Sequence, residues 1–192
     1  MDWTPYAVGG ATRPDSFTKL NPLFAERVYR MTQDAHAAGI PLQITSAYRS
    51  PELQAELYEK ALAKYGSDEA ARKWVAPAGK SQHNHGTAVD FAVDGSLIRD
   101  ADSEAARWIA ENAATYGLAV PMGWEPWQVE LEGARGGNVT PAGEGNALAT
   151  YKPRTKQENA LMALSMLGGN SPMFNQAKNA LRMSYFLENE RT

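Results

Sequence analysis

The chain has 192 residues, 43% of them hydrophobic and 21% charged, which is enough to bury one sizeable core with a small appendage. A formal net charge of -3 argues against a nucleic-acid-binding face, and the absence of cysteine excludes both disulfides and thiolate metal sites. Any metal must then be held by His, Asp, Glu or amide oxygens.

The first residues, Met1-Asp2-Trp3-Thr4-Pro5-Tyr6, lack the basic region and apolar run of a signal peptide, and no apolar stretch is long enough to span a membrane. The expectation is a protein made in the cytoplasm without a leader and with no membrane partner. Residues 1 to about 15 are rich in Gly, Pro and Thr and read as an irregular arm. A helix is predicted from residue 21 or 22 to residue 38, with Phe24, Val28, Met31, Ala35 and Ala38 forming its apolar stripe. Gly39 stops it and Pro41 lies just beyond. His36 flanks this stripe and reads as a histidine at the edge of a packed helix.

Residues 42–48 alternate and predict a strand. Ser50 then offers an N-cap and Pro51 a first helical position for a helix running to about residue 65, followed by a short one over 68–74. A loop over 77–80 feeds the stretch Ser81-Gln82-His83-Asn84-His85-Gly86-Thr87-Ala88-Val89-Asp90, which holds two of the three histidines of the chain. Apolar alternation over 88–93 puts Asp90 on a strand. An imidazole and a carboxylate meeting at a loop-to-strand junction supply two of the three protein ligands that a catalytic zinc site usually has. Further on, a helix is predicted over 102–116 with Gly117 ending it, and short strands over 118–120 and 127–131 flank a Pro-Met-Gly-Trp-Glu-Pro loop. From residue 132 to 145 the chain is Gly-rich and loses periodicity. The organisation expected is a domain over 1–135, a linker over 136–154, and a helical tail over 155–192 with segments near 155–167 and 172–188. That tail is too small to hold a core alone and is expected to dock on the main domain or on a partner.

Three separated segments share the polar character of a site beside strand ends. They are Ser46 to Ser50 with Gln54, Ser81 to Asp90, and Trp124-Glu125-Pro126-Trp127-Gln128. Together they resemble the zinc peptidases that cleave the peptides of bacterial peptidoglycan, a family that includes D-alanyl-D-alanine carboxypeptidases and the L-alanyl-D-glutamate endopeptidases of phage lysins. The likeness covers roughly residues 20 to 132. It rests on Tyr48-Arg49-Ser50, on the pattern Ser-x-His-x-x-Gly-x-Ala-x-Asp over 81–90, and on Glu-x-Trp at 125–127.

The resemblance implies an α+β fold: a small, mainly antiparallel sheet flanked by helices, with a metal cleft on its exposed side. It implies Zn2+ as cofactor, with His83 and Asp90 as ligands. Glu125 is implied as the general base that takes a proton from the attacking water, and Arg49 as the group that polarises the scissile carbonyl. Ser81, Tyr48 and Gln54 are expected to touch substrate, and Gly86 to let backbone pass close to the metal. The family places a histidine where this chain has Gln128, whose amide oxygen is a harder and weaker zinc ligand than imidazole. Three arrangements are compatible with the sequence: Gln128 ligates through oxygen, His85 or Glu130 supplies the third ligand, or the metal is lost.

Plainer roles stand beside these. His83 and Asp90 can form a hydrogen-bonded pair, Arg49 can pair with Glu52 or Glu56, and Glu125 can be a solvated turn carboxylate. The function expected is a phage-type zinc peptidase acting on the peptidoglycan stem peptide, at the cell wall after lysis release or as part of a virion. The alternative is a degenerate relative serving as a virion structural or wall-binding component, with other virion proteins as partners of the tail.

Overall fold

The computed structural model describes residues 1–136, and the expected tail and all but the first residue of the expected linker lie outside them. Four helices, α1 (Pro22–Ala37), α2 (Pro51–Tyr65), α3 (Asp68–Arg72) and α4 (Glu104–Asn112), are interleaved with five short strands. The strands are β1 (Gln43–Ser46), β2 (Ala88–Val93), β3 (Ser96–Leu97), β4 (Leu118–Ala119) and β5 (Gln128–Leu131). Every strand pair is antiparallel, and β2 is central. β1 takes one edge of β2. On the other edge β5 pairs with Ala88–Asp90 and β3 with Ala92 and Val93, while β4 extends the sheet beyond β5. This is the expected α+β arrangement.

Local chemistry sets the helix starts. Asn21 accepts hydrogen bonds from the Leu23 and Phe24 amides, and Ser50, Ser67 and Ser103 cap α2, α3 and α4 in the same way. Each cap contributes about 1 kcal/mol. Pro22 and Pro51 occupy first-turn positions, where their missing N–H costs nothing. α1 and α4 then press Phe24, Val28, Met31, Trp108 and Ile109 onto one face of the sheet, against Ile44, Val89, Phe91, Val129 and Leu131. Because side chains alternate along a strand, the opposite face carries Asp90 on β2 and Gln128 and Glu130 on β5.

Four local features depart from the sequence reading. The arm before residue 15 is tied down: Ala7 bridges Ile44 in parallel, the Val8 amide donates to the Ile44 carbonyl, and Trp3 stacks on Phe17 with centroids 4.4 Å apart. It thereby shields the outer edge of β1. The predicted 102–116 helix ends as α-helix at Asn112 and tightens into a 3-10 turn over Ala113–Tyr116. Asn112 Nδ2 donates to the Trp108 carbonyl at 2.7 Å, the local competition with backbone pairing that disfavours asparagine inside helices. β3 is not among the strands expected from the sequence. It closes on β2 through Asp94-Gly95, both at positive φ (49° and 72°), as a two-residue hairpin turn requires.

The fourth feature is the packing around Gly86. It sits at φ 67° after the 3-10 turn Gln82–His85, and a Cβ there would stand 2.5 Å from the Lys19 carbonyl oxygen. Its carbonyl accepts from the Asn21 amide at 2.9 Å. The close approach of residues 19–21, the segment leading into α1, therefore requires a glycine here. Replacing Gly86 with Ala combines left-handed strain with a backbone clash and should lower stability by about 2 kcal/mol or more. Urea unfolding of the metal-free chain measures this, and an unchanged midpoint would contradict it.

Candidate metal centre

The end of β1 and the turn Gln82–His85 are laced together by backbone-directed bonds. The Arg49 amide donates to the His83 carbonyl at 3.1 Å, and Asn84 Nδ2 donates to the Arg49 carbonyl at 2.7 Å. Ser81 caps the turn by accepting from the His83 amide at 3.3 Å. His83 Nδ1 lies 2.8 Å from the Ala47 carbonyl oxygen. A carbonyl only accepts, so Nδ1 carries the hydrogen and the neutral ring presents a lone pair at Nε2. That Nε2 faces Asp90 Oδ1 at 3.3 Å, and both atoms are buried without a hydrogen-bond partner.

Two acceptors facing one another in a buried position repel unless a cation or a proton lies between them. Two ligands each about 2.0–2.2 Å from a tetrahedral zinc stand about 3.4 Å apart. The separation and the donor types of His83 and Asp90 therefore fit a zinc ion. Among the described residues no three His, Asp or Glu side chains are grouped to hold a metal. His85 is exposed and absent from the cleft wall. Glu130 is buried, and both of its oxygens are taken by Arg135, at 2.9 Å from Nε and 2.8 Å from one terminal nitrogen. Gln128 is different. It is the direct cross-strand partner of Asp90 and lines the same cleft as His83 and Asp90.

Arg49 is held on three sides. Its guanidinium donates to Gln54 Oε1 at 2.8 Å and to Ser46 Oγ at 2.9 Å, and stands 3.6 Å from Asp90 Oδ2. The plainer pairing with Glu52 or Glu56 is replaced by this one with Asp90. Burial pulls the Arg49 pKa below its ordinary value, while the Asp90 carboxylate opposes the shift. Gln54 is fully buried, and its Nε2 donates to the Ala76 carbonyl at 2.5 Å. With both ends of its amide engaged, Gln54 orients Arg49 from within the cleft wall. Tyr48 is not in the cleft wall. Its ring packs against the core, with Lys19 Nζ 5.2 Å from the ring centroid.

Glu125 is half-buried on the loop before β5, in the same cleft. Burial, and then the nearby Asp90 carboxylate, raise its pKa above the ordinary carboxylate value. The cleft holds about 520 Å³. Its wall includes residues that the sequence reading did not single out: Arg72, Lys73 and Trp74 from the α3 region, Lys80, and Arg135. Nothing in the sequence marked Arg135, which sits in the stretch read as the approach to a linker. Trp124 and Trp74 stand at the cleft with 68% and 60% of their surface exposed, whereas Trp127 packs on the core with the Arg99 guanidinium 5.5 Å from its ring.

The family described as VanY, D-alanyl-D-alanine carboxypeptidase, matches residues 18–132, more than half of the chain. The chain belongs to this family. A D-alanyl-D-alanine carboxypeptidase of Enterococcus faecium is 31% identical over 130 residues, 62% of this chain and 39% of that protein. The peptidoglycan L-alanyl-D-glutamate endopeptidase CwlK of Bacillus subtilis is 36% identical over 84 residues, 42% of this chain and 48% of that protein. The matches thus span less than half the length of either relative. Among solved structures, a variant of the vancomycin-resistance D,D-pentapeptidase VanY in complex with Zn(II) is similar at 25% identity and a TM-score of 0.50, covering 73% of this chain and 83% of that one.

Membership of a family with a zinc-bound relative agrees with the fit of His83 and Asp90. Alanine at either position should weaken Zn2+ binding by more than about 100-fold, since outer-shell changes alone cost 10–100-fold. Gln128→His should strengthen it by about 10-fold or more, because imidazole nitrogen suits zinc better than amide oxygen. Chelator-competition titrations measure both, and equal affinities across the series would contradict the assignment.

Proposed function

We propose that this chain is a zinc-dependent peptidase acting on the stem peptide of bacterial peptidoglycan, with His83, Asp90 and Gln128 holding the ion. The observation that carries the reading is the buried, unpartnered pair of His83 Nε2 and Asp90 Oδ1, which shares one cleft with Glu125 and Arg49. A zinc ion bound there would lower the pKa of a water to near 7 and polarise the scissile carbonyl. Glu125 takes the proton from the attacking water and returns it to the leaving amine. Its raised pKa suits both steps, because a stronger base accepts the proton more readily and its acid still releases it. Arg49, kept in place by Ser46, Gln54 and Asp90, holds the negative charge that develops on the carbonyl oxygen.

The names of the relatives suggest two bonds, the terminal D-Ala–D-Ala linkage and the L-Ala–D-Glu linkage. Mass spectrometry of peptides released from purified peptidoglycan distinguishes them. The phage setting, with action at the host wall after lysis release or from a virion, goes with this reading on the likeness to phage-lysin peptidases alone. A second reading, a virion or wall-binding component that no longer cleaves, draws on Gln128 standing where the family has histidine. It predicts no stoichiometric zinc and no new peptide ends, with Gln128→His restoring both.

Two further outcomes test the catalytic roles. Glu125→Gln should lower kcat by about 10²–10⁴-fold while leaving Zn2+ affinity unchanged, and a loss below 10-fold would remove Glu125 from the base role. The rate should also fall with decreasing pH through the Glu125 pKa, because only the carboxylate form accepts a proton. That pKa is raised, so the acid limb should lie above pH 4.5, the ordinary value. A limb at or below 4.5 that persists in Glu125→Gln would contradict the assignment.

A further inference from the structure

The amide of Gln128 has two ends of nearly equal shape, and only the carbonyl oxygen can bind a cation. The structure shows what selects between them. Gln128 Nε2 donates to Glu130 Oε1 at 2.6 Å, and Arg135 holds both oxygens of the same carboxylate. With the guanidinium as its second partner, this carboxylate accepts at both oxygens. Turning the amide over would place its oxygen against Glu130 Oε1, with two acceptors in contact and no hydrogen between them. Residues 128 and 130 lie on one face of β5, so the pairing is built into the strand.

Glu130 is itself 2% exposed, and burying a carboxylate is costly unless it is paired. The cleft thus keeps a buried charge whose direct contact with the centre is a hydrogen bond to Gln128. Arg135 also reaches the loop that carries Glu125, through a contact of 3.4 Å with Met122 Sδ.

We propose that Glu130, clamped by Arg135, is a positioning residue that commits the Gln128 amide nitrogen and so presents its carbonyl oxygen as the third metal ligand. This rests on the reading that His83, Asp90 and Gln128 hold the ion. The pair takes the role that a carboxylate plays behind a ligating histidine, transferred to an amide. It also accounts for a glutamine at this place: with its nitrogen committed, the residue offers one oxygen donor in a fixed direction. Arg135 lies outside the family match over 18–132, so the clamp is drawn partly from residues beyond the matched region.

A double-mutant cycle on the full chain tests this, read by Zn2+ affinity in chelator competition and by the visible spectrum of the Co2+-loaded protein. Glu130→Gln and Arg135→Met should each weaken Zn2+ binding, Glu130→Gln by about 10–100-fold. In a Gln128→Ala background Glu130→Gln should cause no further loss, and the Co2+ spectra of the two single variants should match. If Gln128→Ala weakens binding and Glu130→Gln does not, the positioning role is overturned while the ligand set stands. Equal losses from Glu130→Gln with and without Gln128 would overturn it as well, since Glu130 would then act independently of the amide. If the unaltered chain binds no stoichiometric Zn2+, or Gln128→Ala leaves the affinity unchanged, the ligand reading fails and the inference fails with it. Thermal unfolding in chelator checks that each variant folds. Should Glu130→Gln not fold, Arg135→Met, at a side chain 52% exposed, decides by the same criteria.

Discussion

The hydrogen bond from His83 Nδ1 to the Ala47 carbonyl is the contact on which the rest of the site depends. It settles where the imidazole hydrogen sits and turns the other nitrogen toward Asp90. Without it the ring is free to place a hydrogen at Nε2 and satisfy Asp90 directly, and the pair becomes an ordinary buried hydrogen bond. With it, two acceptor atoms are held 3.3 Å apart, neither with a hydrogen-bond partner. The fold maintains that arrangement through the lacing of β1 to the turn Gln82–His85, where Arg49 and Asn84 fasten the backbone on both sides of His83.

The sheet supplies the other half. β2 is central, so Asp90 is fixed from both sides, by Ser46 on β1 and Gln128 on β5. The register that opposes Gln128 to Asp90 brings Glu130 opposite Ala88, a small residue. The irregularity between Ile44 and Ser46 re-aims the end of β1, a usual role of bulges beside active sites, and Ser46 meets Arg49 there. Charges alternate across the cleft: Arg49 beside Asp90, and Arg135 on Glu130 with Glu125 nearby. Each buried charge therefore has an opposite within reach, and the acidic groups are kept from a mutual repulsion that would expel one of them.

Much of this was legible in the sequence because the signals were local. Asn21, Ser50 and Pro51 announce the starts of α1 and α2 within one turn of chain. The alternation of 88–93 places Asp90 on a strand, and the spacing of His83 and Asp90 nominates the pair. What escaped depends on contacts distant in the chain. The N-terminal arm is ordered by pairing with Ile44, a partner that composition cannot reveal. Tyr48 packs against the core and so stays out of the cleft wall, and Gln54, which does line the cleft, is tied to Arg49 and to the distant Ala76 carbonyl. Arg135 belongs to the site only because a turn after β5 folds it back onto Glu130. Glutamine at 128 was visible, but what holds its amide was not.

The central claim is that His83, Asp90 and Gln128 converge on one metal ion. A crystal structure of the full chain grown with Zn2+, with anomalous diffraction recorded on both sides of the zinc absorption edge, tests it most directly. The account predicts one strong anomalous peak bonded to His83 Nε2, to a carboxylate oxygen of Asp90 and to Gln128 Oε1, with the Gln128 nitrogen still on Glu130. A cleft without such a peak, or a zinc held by other residues, would contradict it.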